Sequence, residues 1–366
     1  MIIGIPKETL PGEARVAMSP DVAMKLGNKG FSLRLESGAG LDAGYHDDDY
    51  VAAGVEIVDR ATALASDLVV KVRKPTPDEV AGLKEGALYI GFLETCDDKD
   101  EVLQAMFRRG IRPLAMERIP RISRAQSMDA LSSQSNIAGY RAAIEAAARY
   151  GRFFPLMMTS AGSVKPARVV VLGAGVAGLQ AIATAKRLGA EVYAYDIRPE
   201  TREQIESLGA KPIDLDLGEE GSGEGGYARE LSDEAKARQQ ELLADELAKA
   251  HVIITTALIP CRPAPVLVTE SVVKRMREGS VIVDLAAANG GNCPLTEADK
   301  VVRKHGVILV GHTNYPSMMA GDASTFYANN IANLLAIMFE QAEGGPQLKD
   351  LSEDEITAAA LMTPQD

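Results

Sequence analysis

Apolar residues along this chain come in two rhythms. Through about residue 120, short runs (IIGIP, FSLRLES, LVVKVRKP, ALYIGFL and RPLAMER) alternate with stretches of helical spacing over Ser19 to Gly30, near Ala61, after Thr76 and over Asp97 to Gly110. Short runs bounded by Gly, Pro and charge predict strands, and their alternation with helices predicts a parallel sheet covered by helices. Ile137, Tyr140, Ile144 and Ala147 then fall at helical spacing with Gly139 as the sole breaker, which predicts a linker helix over 133–150. A second series begins at Arg168: RVVVLGAG, a helix to Leu188, EVYAYDI, a helix to Leu208, KPIDLD, a helix centred on Leu242, HVIITTAL, SVIVDLA and VILVGHT. That is the strand count of a dinucleotide-binding unit. Past it, Phe326, Ile331, Leu334, Leu335 and Met338 form one stripe, so the region from Asp322 is expected to return and pack on the first domain.

The predicted fold is therefore α/β, two Rossmann-like domains with parallel sheets, the first completed by the C-terminal helix region. Its bounds are 1–132 with 322–366 returning to it, and 133–321 for the Rossmann domain. Within the latter, GEEGSGEGG (218–226) is too rich in Gly, Ser and Glu to be fixed by its own packing, and a mobile loop is expected over 218–228. Composition alone favours an idle surface insertion.

Composition narrows the function. A chain of 366 residues, 46% hydrophobic and 25% charged, has material for two cores. A net charge of −12 opposes binding to nucleic acid or anionic lipid. The three cysteines, Cys96, Cys261 and Cys293, lack zinc or redox spacing and read as reduced thiols, and no metal site is expected. The start carries no signal-peptide pattern. Two uncharged stretches approach membrane length, but spaced glycines interrupt 169–185, and Asn329, Asn330 and Asn333 interrupt 323–339, so no direct membrane insertion is expected.

Candidate chemistry centres on Gly173, Gly175 and Gly178, a G-x-G-x-x-G directly after VVVL and at the start of a helix. The first Gly makes the tight turn, the second admits a pyrophosphate to the backbone, the third permits close packing, and the helix N-terminus faces the phosphates. Asp196 ends the next strand, placed for the adenine ribose hydroxyls and repelling a 2′-phosphate, so NAD is preferred to NADP. Arg198, two residues on, either weakens that discrimination or, as the blander reading, is a solvated surface cation.

A dehydrogenase of alcohols or amino acids moves a proton as well as a hydride and needs a general acid or base. None of the four histidines, His46, His251, His305 and His312, lies in a compelling motif, although His312 in GHTN stands at a strand end. In DLAAANGGN, Ala288 and Asn289 offer no carboxylate. Residues 120–142 combine Arg121, Arg124, Gln126, Asp129 and Ser132 without periodicity in the first half. This suits either a loop pinned by an Arg–Asp ion pair and presenting Gln to a planar amide, or an ordinary hinge.

The segments RAQSMDALSSQSNIAGYRA, VLGAGVAGLQAIATAKRLGAEV, ITTALIPCRPAPVLVTE, DLAAANGGNCPL and GHTNYPS together resemble the NAD(H)-binding domain of proton-translocating NAD(P) transhydrogenase, the alpha subunit's first domain, over nearly the whole chain. By that resemblance, Arg121, Gln126, Asp129 and Ser132 match a nicotinamide-orienting loop. Val176, Ala177 and Gly178 match the pyrophosphate turn, Asp196, Ile197 and Arg198 the ribose strand end, and Leu258 a pocket-lining position. Gly226 and Tyr227 match the tip of a mobile loop that closes over nucleotide.

Alanine dehydrogenase is similar too, sharing the fold, the GIPKE start and Arg15. Where it carries a catalytic His, this chain has Glu94; Arg73 replaces a substrate Lys and Ala288 a catalytic Asp. The resemblance thus implies direct hydride transfer between NADH here and NADP bound on a partner, which needs positioning but no proton abstraction. It also implies a homodimer, NADP(H)-binding and membrane-spanning partner subunits coupled to proton translocation, and a cytoplasmic place peripheral to the inner membrane. An alanine dehydrogenase-like oxidoreductase or a nucleotide-binding regulatory module without turnover are the alternatives.

Overall fold

A computed structural model describes all residues except 95, 97–99, 216–231 and 365–366. The chain divides into two compact units, Met1–Gln134 with Pro316–Asp366, and Ser135–Tyr315.

Besides the antiparallel hairpin of Phe339–Ala342 with Gly345–Leu348, the first unit holds six strands, β1 (Ile2–Ile5), β2 (Ser32–Glu36), β3 (Glu56–Val58), β4 (Leu68–Val70), β5 (Leu88–Gly91) and β6 (Arg112–Ala115). They form one parallel sheet in the order β3-β2-β1-β4-β5-β6. Sheet residues such as Ile3, Leu35 and Val70 share a buried cluster with Tyr327, Ile331, Leu334, Leu335 and Met338 of the helix Ala320–Met338. The expected stripe was one residue off at its start: Phe326 is 47% exposed, and its neighbour Tyr327 is buried, donating its hydroxyl to the Lys71 carbonyl at 2.8 Å.

Buried charges gather where β1 and β4 end. Lys71 Nζ donates to both carboxylate oxygens of Glu79 at 2.8 Å, and Glu8 Oε1 accepts the Val72 N–H at 2.6 Å. Burial pushes Glu8 from 4.5 up to about 6, against the pull of Lys71. Burial acts the same way on Glu13, but hydrogen bonds and charge from Arg15, then Arg73, outweigh it and hold Glu13 at about 2. Because the folded value of Glu8 lies above the unfolded one, its contribution to stability is full below pH 4.5 and is lost as pH rises through about 6. Glu8→Gln removes that loss. Relative to the parent, this variant gains roughly 2 kcal/mol between pH 4.5 and neutrality in denaturant unfolding; parallel pH curves would refute the assignment.

Past its share of the helix Ala130–Arg149, the second unit has the hairpin β7 (Met157–Thr159) and β8 (Gly162–Val164). Its main sheet comprises β9 (Arg168–Leu172), β10 (Glu191–Tyr195), β11 (Lys211–Pro212), β12 (Val252–Thr255), β13 (Val281–Asp284), β14 (Val301–Lys304) and β15 (Val307–Val310). The order is β11-β10-β9-β12-β13-β15-β14. All pairs are parallel except β14, which lies antiparallel on β15 and adds a charged edge strand to a sheet expected to be wholly parallel. Val170, Ile253 and Ile282 pack on one face and Val171, Ile254 and Val283 on the other. The boundary between units falls inside the helix Ala130–Arg149, three residues longer at its start than predicted.

Cys293 is a free, buried thiol. Among the described residues no helix is long and apolar enough to cross a membrane.

Candidate functional site

β9 is buried to Leu172, and the turn after it is built from three glycines with three different reasons. Gly173 has φ 95°, in the left-handed region, and a Cβ there would lie 2.5 Å from Thr256 Oγ1. A Cβ on Gly178 would lie 1.8 Å from the Gly173 carbonyl oxygen, which fixes how closely the helix Val176–Arg187 leaves the turn. Gly175 is otherwise: its φ is −77°, and an added Cβ meets nothing within 4 Å. Nothing in the protein requires glycine there, so the cleared space suits a group approaching from outside. Gly175 is also the N-cap and supplies no side-chain acceptor, leaving first-turn N–H groups of the helix to an anion. Val176 is 38% exposed on that turn. Ala177 is braced from behind, because a Cβ on Gly139 would sit 2.0 Å from its carbonyl oxygen.

Asp196, at the end of β10, is tied to the turn by the Ala174 N–H, which donates to Oδ2 at 2.6 Å. Arg198 is not a solvated cation. Its backbone N–H and Nε donate to Asp196 Oδ1 and its Nη2 to Oδ2, each at 2.9 Å, and its side chain is 11% exposed. The short i,i+2 reach at a strand end folds the guanidinium back on its neighbour, so Arg198 covers the Asp196 carboxylate. Ile197 is half-buried in the core beside it. Leu258 is 40% exposed on the segment after β12. The buried Asn292 holds that segment, accepting the Ala257 N–H at 3.2 Å and donating to the Ala257 and Pro265 carbonyls at 2.9 and 2.8 Å. These residues fit a dinucleotide's pyrophosphate and ribose.

In the first unit, the loop expected to orient nicotinamide is a 3₁₀ helix, Ser123–Met128, that buries Ala125 and Met128 and leaves Gln126 exposed. Asn330 and Asn333, read from sequence as interruptions of an apolar stretch, donate to the Ser127 carbonyl at 2.9 and 3.1 Å and pin it. The expected Arg–Asp pair is not internal to the loop. Asp129 instead caps the helix Ala130–Arg149, accepting the Ser132 N–H at 2.9 Å and its hydroxyl at 2.6 Å, while Arg124 reaches away to Asp354 at 2.7 Å. Arg121 is exposed. Gly226 and Tyr227 lie outside the described residues.

Groups for proton transfer are committed elsewhere. Asp284 is fully buried and accepts from Thr255 Oγ1, Thr296 Oγ1 and the N–H groups of Ala286, Asn292 and Cys293, so it organises the chain after β13. Ala288 is exposed and inert. Glu94 has a side chain 66% exposed, 3.9 Å from Arg73. His312 Nε2 stands 3.8 Å from Glu145, a carboxylate already engaged by Arg141 and Arg149. Sequence reasoning missed Thr256, Asn292, Asn330 and Asn333 because they act by bracing backbone and carry no motif.

Residues 4–138 match the N-terminal domain of alanine dehydrogenase/PNT, and residues 142–365 its C-terminal domain. The chain is 54% identical to an NAD(P) transhydrogenase subunit alpha protein of Rhodospirillum rubrum over 92% of its own length and 89% of that protein's. A transhydrogenase crystal structure from Sinorhizobium meliloti superposes with a TM-score of 0.83 at 45% identity, covering 92% of this chain and 94% of that one. An L-alanine dehydrogenase structure gives 0.81 at 29% identity, covering 100% and 96%. With both halves of the chain matched and a relative this similar, the protein belongs to the alanine dehydrogenase/PNT family of oxidoreductases.

Proposed function

We propose that this chain is the NAD(H)-binding component of a nicotinamide nucleotide transhydrogenase. The observation that carries the reading is a complete dinucleotide turn in a unit where the fully buried Asp284, at the end of β13, is consumed by five donors and Ala288 has no side-chain proton to exchange. Bound NADH supplies the hydride. Gly173 shapes the turn, its N–H held by the Tyr195 carbonyl, and Gly175, Val176, Ala177 and Gly178 receive the pyrophosphate; Asp196 takes the adenine ribose once Arg198 releases one of its carboxylate oxygens, and Ile197 and Leu258 line the adenosine side. Arg121, Gln126, Asp129 and Ser132 orient the nicotinamide, Gln126 through its amide, and Gly226 with Tyr227 close over the nucleotide. Accepting the hydride directly on a second nicotinamide needs alignment and exclusion of water but no general base at Ala288 or Glu94. The acceptor, NADP, sits on a partner subunit. Membrane-spanning partners, coupling to proton translocation, a homodimer and a peripheral place on the cytoplasmic face of the inner membrane belong to the same reading.

The test mixes this protein with a purified NADP-binding transhydrogenase component, NADH and an oxidised NADP analogue, with L-alanine plus NAD as a parallel assay. Reduction of the analogue without alanine oxidation is expected. Alanine-dependent NADH formation overturns the reading in favour of amino-acid oxidation, and silence in both overturns it in favour of a regulatory module.

A further inference from the structure

The edge of the seven-stranded sheet opposite the glycine turn carries a second concentration of chemistry. Arg168 opens β9, His251 immediately precedes β12, and Arg277 lies shortly before β13, so parallel strands bring all three to one edge. His251 Nδ1 accepts the Arg168 backbone N–H at 2.9 Å, and its Nε2 stands 3.2 Å from Arg277 Nη1. The ring stacks on Tyr150 with centroids 5.8 Å apart. An imidazole offers one acceptor when neutral and none when charged, yet two N–H donors approach this ring from opposite sides. In every tautomer one donor faces another.

The surroundings deepen that mismatch. Burial first, then Arg277, Arg152 and Arg168, push the His251 pKa down and keep the ring neutral. With Nδ1 accepting from backbone, the ring proton belongs on Nε2, pointing at Arg277. Among the described residues Arg168 is the one cation of this cluster with a carboxylate partner, Glu246, and even so its Nε is buried without a hydrogen bond. Arg152 and Arg277 are exposed and form no ion pair with the described residues. An oxygen-rich anion converts the conflict between His251 and Arg277 into two good hydrogen bonds and neutralises the cluster.

We propose that this edge is a binding site for a phosphate-type oxyanion, held by His251 Nε2–H and the guanidinium groups of Arg277 and Arg152, on the side of the unit away from the nucleotide turn. Phosphate geometry matches the guanidinium fork, and free phosphate or a soluble phosphomonoester would present the same oxygens.

Calorimetric titration of the full chain with inorganic phosphate, and separately with glycerol phosphate, at ionic strength held constant with chloride, tests this. Saturable binding to either ligand is expected, and the tighter one identifies the source. The double substitution Arg152→Ala with Arg277→Ala weakens binding at least tenfold while NADH affinity stays within twofold, which also shows that the variant is folded. In the NMR titration of the His251 ring, saturating phosphate raises the midpoint in the parent and not in the double variant. Absence of saturable binding to the parent, or equal affinity in the double variant, overturns the proposal.

Discussion

Gly175→Val folds and fails to bind NADH. The substituted residue occupies open space at an ordinary φ of −77°, so the cost to the fold is that of a poor N-cap, about 1 kcal/mol. The same methyl groups fill the place left for a pyrophosphate and shield the first-turn N–H groups, and affinity falls about 100-fold or more, roughly 3 kcal/mol. Gly178→Ala makes the contrast. Its Cβ is driven to 1.8 Å from a backbone oxygen, and the turn has to rebuild at several kcal/mol, losing stability and binding together. Thermal unfolding paired with NADH fluorescence titration separates the two. Gly175→Val binding NADH within threefold of the parent would mean that the nucleotide does not cross this glycine.

The second large effect falls on turnover alone. Gln126 is exposed, its amide makes no hydrogen bond among the described residues, and the loop is held by Ala125, Met128, Asn330 and Asn333 rather than by Gln126 itself. Gln126→Ala therefore changes stability by less than about 0.5 kcal/mol. If its amide aligns the nicotinamide, hydride transfer slows about 10- to 100-fold, because alignment of the reacting carbons is most of what such a site contributes. NADH affinity is expected to shift far less, since the proposed pyrophosphate and ribose contacts lie elsewhere. Single-turnover transfer with a partner-bound NADP analogue reads the first quantity and equilibrium titration the second. An unchanged rate removes Gln126 from the site, and a matching drop in Tm recasts it as structural.

What the sequence made legible follows from where the physics is local. The glycine turn, the strand before it and Asp196 were readable because each residue type answers a local demand: φ, close packing, or charge at a strand end. β3 and β14 escaped because three or four residues with polar members, EIV and VVRK, carry too little periodicity to stand out. Asn330 and Asn333 were misread because hydropathy scores an Asn as an interruption, while their use depends on a carbonyl some two hundred residues away in sequence. Arg198 went wrong for the opposite reason: its partner is two residues off, but only the bend at the end of β10 turns it inward. Phe326 and Tyr327 show the limit of a helical stripe, whose edge residues exchange exposure with a small rotation of the helix.

The return of the helix Ala320–Met338 to the first sheet sets an order of events at the ribosome. The second unit is continuous in sequence, Ser135–Tyr315, and can condense as soon as it emerges. The first cannot, because Tyr327, Ile331, Leu334 and Leu335, which cover the face carrying Ile3 and Leu35, are made after the whole of the other unit. At about 5–20 residues per second that delay is on the order of ten seconds or more. For that interval the first sheet to be synthesised is the last to be sheltered, and the burden on holding chaperones falls on the nascent chain's beginning rather than on its nucleotide-binding middle.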